Sequence, residues 1–111
     1  MIRTACAVVV TFGLMAGVAA AQAPADVERG KKVYAAEKCG VCHSIGGTGN
    51  KKGPLDGVAS KYSADELRAW IVDAKGMTAK TSAPRKPFMN NYNLPKEDLD
   101  ALVAYMATLK K

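Results

Sequence analysis

Cys39-Gly40-Val41-Cys42-His43 is a C-x-x-C-H run, and His43 is the only histidine in the 111-residue chain. Two sulfurs three positions apart can each form a thioether with one vinyl-derived carbon of a haem. The histidine that follows can then meet the iron as its proximal ligand. A single helical turn carries both sulfurs to the same side. The pattern reads as a covalent c-type haem site. Its competitors lack their supports. A thioredoxin-like dithiol needs a βαβ setting, and no strand run in the sequence supplies one. A zinc site needs about four Cys or His ligands, and the chain offers three once Cys6 has been removed. A plain disulfide would not ask for the adjacent imidazole.

The iron's other axial position cannot go to a second histidine of this chain, because there is none. Methionine is the usual thioether donor, and it raises the reduction potential relative to harder ligands. Downstream of the motif stand Met77, Met89 and Met106. Met106 falls on an apolar helical stripe and reads as core. Met77 follows a helix by so short a tether that reaching across a haem face would be strained. Met89 sits in the Pro87-Phe88-Met89 loop and is the favoured ligand, with Met77 second.

These residues must be positioned by helices. Residues 26–38 carry Val27, Gly30, Val33 and Tyr34 at helical spacing and run straight into the motif. Residues 44–60 are rich in glycine, show no helical period and read as loop. Ser63-Ala64-Asp65-Glu66 is a capping box that opens a helix with Leu67, Trp70, Ile71 and Ala74 inward. Residues 75–93, with glycine, two prolines and three asparagines, read as a second loop. Pro95 opens a last helix with acidic Glu97 and Asp98 in its first turn. Leu99, Leu102, Val103, Met106 and Leu109 form its apolar stripe. The expectation is an all-α fold of three main helices and long loops wrapped around one haem.

Residues 1–21 have the form of a secretory signal. Arg3 provides the positive start, an apolar run extends from Ala5 to Ala21, and Ala19-Ala20-Ala21 places small residues at the cleavage positions. The expected cut lies near Ala21, with Ala23 and an uncleaved anchor helix as the alternatives. The apolar run is too short and too soon interrupted for a secure span, so the mature chain is expected to carry none. Export would place the protein in the periplasm and leave one domain over residues 22–111. Loss of Arg3 leaves 15 basic against 10 acidic residues, a net charge of +5. That balance favours an acidic protein face or an anionic membrane surface. Nucleic acid is a poor fit, because the cations are scattered and aromatics are few.

Taken in order, these features resemble the small soluble class I cytochromes c over essentially the whole of the mature part. Gly30 and Tyr34 resemble the family's small-residue and aromatic contact with the last helix, where Tyr105 would be their partner. Gly53-Pro54-Leu55 resembles the loop over the histidine side of the haem. Leu67-Arg68-Ala69-Trp70-Ile71 resembles the mid-chain helix. The resemblance implies that the Pro54 carbonyl holds the second nitrogen of His43. It implies that Trp70 packs along the methionine side of the haem, and that Met89 occupies the place of the axial methionine. Asn90 stands where the family frequently has proline. The cofactor-binding set is thus Cys39, Cys42, His43, Met89, Pro54 and Trp70, with His43 and Met89 on the iron.

The function so implied is one-electron transfer by a monomeric periplasmic carrier that meets redox proteins whose own docking face is acidic. A haem with both axial places filled offers no open site for substrate, so no enzyme activity is expected. Two alternatives stand beside this reading. One is a gas-binding or sensing module with a weak sixth ligand. The other is a dedicated cytochrome subunit of a larger oxidoreductase.

Overall fold

In the computed structural model, residues 24–111 are described, together with Gly13. The expected signal segment otherwise lies outside the described residues. Five α-helices follow in order: α1 Pro24–Ala36, α2 Val58–Lys61, α3 Ala64–Val72, α4 Ala74–Thr81 and α5 Lys96–Ala107. A 3-10 turn, Cys39–Val41, and a two-residue antiparallel pair, β1 Ser44–Ile45 with β2 Thr48–Gly49, stand between α1 and α2. The fold is all-α, as expected. None of the described helices is long and apolar enough to cross a membrane.

The first and last helices form the frame. Gly30 is buried on α1, and a Cβ placed on it would run into the Ala101 carbonyl oxygen and lie 2.6 Å from the Tyr105 Cβ. Only a residue without a side chain permits so close a crossing. One turn further on, Tyr34 meets Tyr105 edge to face, with centroids 5.9 Å apart and planes at 87°. Arg29 closes the outer edge by pairing with Asp98 at 2.8 Å and Glu97 at 3.3 Å, which places α1 beside the start of α5. Val33, Leu67, Ile71, Leu102, Val103 and Met106 make the core beneath this crossing. The stripe expected on α5 is therefore its inner face.

Helix α3 begins where the sequence expects it. The Ser63 hydroxyl accepts from the Glu66 amide at 3.2 Å, and the Glu66 carboxylate accepts from the Ser63 amide at 3.1 Å. Arg68 ties α3 to α5 through Asp100.

Two loop expectations need correction. Residues 75–93 are not loop throughout, because α4 continues directly after α3 with only Asp73 between them. Asp73 makes this corner: its amide closes α3 on Ala69, its carbonyl opens α4 to Met77, and its carboxylate accepts from the Gly76 amide. Residues 44–60 contain the hairpin and α2. Gly46 and Gly47, at φ of 58° and 80°, form the hairpin's two-residue turn, a conformation with both residues in the left-handed region. There are thus five described helices rather than three main ones, although the two added are short.

Candidate haem site

Helix α1 ends just before the motif, and Lys38 turns the chain through the left-handed region at φ 56°. The next turn is closed by bonds from the Cys42 amide at 3.1 Å and the His43 amide at 2.9 Å, both to the Cys39 carbonyl. Cys39, Cys42 and His43 therefore occupy i, i+3 and i+4 of one turn and share its face. Burial pushes the Cys39 thiol up to about 11. A dithiol built for exchange chemistry has a thiol pKa shifted the other way. Cys42 is exposed. Among the described residues no group of three or more Cys, His, Asp or Glu converges as a metal site.

His43 is held by its second nitrogen. Nδ1 lies 3.0 Å from the Gly53 carbonyl oxygen. A carbonyl only accepts, so Nδ1 carries the proton and Nε2 keeps its lone pair for a metal. Burial lowers the imidazole pKa, the Gly53 contact opposes that shift, and the Arg85 charge adds to it. The ring is thus neutral at pH 7, the form that coordinates. The expectation that Pro54 supplies this carbonyl is corrected by one residue. Gly53 presents it, because the chain from Gly53 to Leu55 runs parallel to Ser44. The Ser44 amide donates to Gly53 at 3.1 Å and the Leu55 amide to Ser44 at 2.8 Å. Pro54 sits in the centre of that bridge and braces the loop.

Several residues that the motif does not announce complete this half of the site. Asn50 donates its backbone amide to the carbonyls of Gly40 and His43 and its side-chain amide to that of Val41. It clasps three carbonyls of the motif. Arg85 reaches from the other side of the site to the Cys42 carbonyl, and its guanidinium lies against Gly53. Backbone acceptors have no sequence signal, which is why nothing in the residue pattern points to Gly53, Asn50 or Arg85.

Trp70 lies on α3 with Tyr62 6.0 Å away, centroid to centroid. Among the described residues its buried Nε1 has no hydrogen-bond partner, and neither has the Tyr34 hydroxyl. Buried donors left unpaired cost about 1–3 kcal/mol each. Tyr62, Trp70, Leu55, Val58, Tyr92 and Leu94 are only partly covered. A group with a broad apolar body and carboxylate arms would cover these faces and supply acceptors to donors that lack them. The residues present fit a haem.

The methionines separate cleanly. Met77 is 8% exposed on the inner side of α4, and Met106 is 6% exposed in the core of α5. Met89 is partly exposed in the connection from α4 to α5. That connection is drawn against the motif by Arg85, and Val41, Cys42, Pro84 and Pro87 line the groove between them. Downstream of Met89 it is pinned by the Tyr92 amide on the Ile71 carbonyl at 2.8 Å, and by the Asn91 side chain accepting from the Lys75 amide at 3.0 Å.

The chain matches the family model described as Cytochrome c over residues 27–110. It is also 32% identical over 91 residues to cytochrome c oxidase subunit 2 of Alkalihalophilus pseudofirmus, an alignment covering 74% of this chain. The chain spans about a quarter, 25%, of that relative's length. No solved structure matches.

Proposed function

The chain belongs to the cytochrome c family, whose members bind haem covalently and transfer electrons, and on that premise we propose that it is a monohaem one-electron carrier ligated by His43 and Met89. When bound, the haem supplies a reversible ferric–ferrous couple. The observation that carries the ligand assignment is the contrast among the methionines. Met77 and Met106 are packed into helices, whereas Met89 lies in a connection that Arg85 brings against the motif. His43 engages Gly53 through Nδ1, which keeps the Nε2 lone pair for the iron. With His43 and Met89 both holding the iron, no position would be left for substrate, so the proposed role is that of a carrier and not of an enzyme.

Replacement of the two candidate methionines tests this. Met89→Ala removes the sulfur-to-iron charge-transfer band of the ferric protein, lowers its potential and opens the ferrous form to carbon monoxide. Met77→Ala leaves the band in place and costs about 2–5 kcal/mol of stability, as core truncations do. The opposite pairing of outcomes would overturn the assignment. Ready binding of carbon monoxide by the unaltered protein would favour the gas-binding alternative.

We assign the carrier to the periplasm on the form of residues 1–21 and to acidic redox partners on its charge. Lys75, Lys80 and Lys86 are exposed along the segment that leads to Met89, and Phe88, half exposed, lies among them. Such a surface steers transient encounters by charge, with small buried area. Electron-transfer rates with an acidic partner should fall steeply as ionic strength rises, because screening contracts the field to about 8 Å at physiological salt. Reversal of Lys75, Lys80 and Lys86 to Glu should slow the reaction at low salt far more than reversal of Lys110 and Lys111. Equal losses would leave only the global charge as the cause. The second reading, a dedicated subunit of a larger oxidoreductase, draws support from the likeness to an oxidase subunit. Affinity capture of the tagged protein from its native membranes separates the two: a carrier is recovered alone, a subunit with its complex.

A further inference from the structure

We propose that Arg85 is the positioning residue that holds the Met89 connection closed over the site. This rests on the His43 and Met89 ligation proposed above. Between Pro84 and Asn90 the only hydrogen bond to a distant part of the described chain is the one from Arg85 Nη1 to the Cys42 carbonyl, 43 residues away in sequence. The acceptor belongs to the residue immediately before His43. The guanidinium also lies where a Cβ on Gly53 would be, so that glycine leaves it room beside the carbonyl that orients the imidazole. One side chain thus spans the groove between the motif and the methionine connection, touching the loop on the histidine side and starting four residues from Met89.

The two flanks of Met89 are anchored differently. Downstream, Asn91 and Tyr92 bind α4 and α3. Upstream, the remaining local bond is the Ala83 amide on Thr78, which belongs to the end of α4 itself. Lys86 turns to the Phe88 ring, 5.7 Å from its centroid, and forms no hydrogen bond or ion pair among the described residues. Without Arg85, the connection would be free from Pro84 to Asn90, and Met89 would depart and return with it. A charged donor on a carbonyl is among the stronger single hydrogen bonds. Its removal would leave the core, the α1–α5 crossing and the capping of α3 untouched.

The test uses the haem-loaded protein and imidazole, a ligand that enters only when the methionine leaves. Ferric Arg85→Ala should bind imidazole about tenfold more tightly than the unaltered protein, equivalent to about 1.4 kcal/mol of lost closure. Its denaturant midpoint should change little. Arg85→Gln, which keeps a neutral donor, and Arg85→Lys, which keeps the charge, should fall between the two. Met89→Ala is the reference in which imidazole meets no competing sulfur. If Met89→Ala keeps the charge-transfer band, the ligand reading fails and the role of Arg85 fails with it. If Met89→Ala loses the band while Arg85→Ala and Arg85→Gln bind imidazole like the unaltered protein, Arg85 alone loses its role. A tighter affinity matched by an equal loss of global stability would make Arg85 a general strut, and that too overturns the proposal.

Discussion

Gly30→Val should cost at least about 3 kcal/mol of the folding stability of the holoprotein, a large share of the roughly 5–15 kcal/mol available to a small domain. The added carbons would fall on the Ala101 carbonyl and the Tyr105 Cβ. These are backbone and near-backbone atoms that no rotamer change can move aside, so the helices must separate. Separation strips contacts from Val33, Leu102, Val103 and Met106 together. Gly30→Ala is the sharper version of the experiment. Helix propensity alone predicts a gain of about 1 kcal/mol, whereas the crossing predicts a loss, so the sign decides. Urea unfolding followed by helical circular dichroism reads both variants. A stabilised Gly30→Ala would show that α1 and α5 have slack at their closest approach.

Replacing Cys39 and Cys42 together with Ala should leave almost no folded haem-bearing protein. A domain of this size buries limited apolar surface on its own. Here the partly covered faces of Tyr62, Trp70, Tyr92 and Leu94, and the orphaned Trp70 Nε1, require a central body to pack against. Haem staining after denaturing electrophoresis should mark the unaltered chain and not the double variant. Each single replacement should keep a fainter stain through its remaining thioether. Stain persisting in the double variant would place the attachment elsewhere and sink the reading of the motif.

The parts of this molecule that are legible in the sequence are those where side-chain type and spacing carry the physics. The motif needs two sulfurs and an imidazole on one turn, and no other residue types would do. The capping box, the apolar stripe of α5 and the absence of a side chain at Gly30 are side-chain statements too. What the residue pattern does not announce rests on the backbone or on very short elements. Helix α4 is masked because Gly76 and the small residues around Met77 give a weak period, although Asp73, three residues before Gly76, is a cap in plain view. The Gly46-Gly47 pair is a hairpin signal that a glycine-rich stretch conceals. The acceptor for His43 falls on Gly53 and not Pro54, because a carbonyl belongs to every residue. Only the register of the bridge to Ser44 selects which one faces the ring. Arg85 reads in the sequence as one cation among several, and its reach across the groove depends on a fold that spacing does not contain.

The corner at Asp73 has a consequence for how this chain can change length. Its amide ends one helix, its carbonyl begins the next and its carboxylate caps it, so all three of its polar groups are committed at a single residue. One residue added there would turn α4 by about 100° about its axis. Met77 would swing away from the core, and the amide of Lys75 would no longer face Asn91. At Gly46 and Gly47, by contrast, a Cβ would meet nothing within 4 Å, so the hairpin tip has open space around it. Insertions accepted at that tip would leave α4 and the connection that carries Met89 undisturbed. The same insertions at Asp73 would reach Met89 through the helix that leads to it.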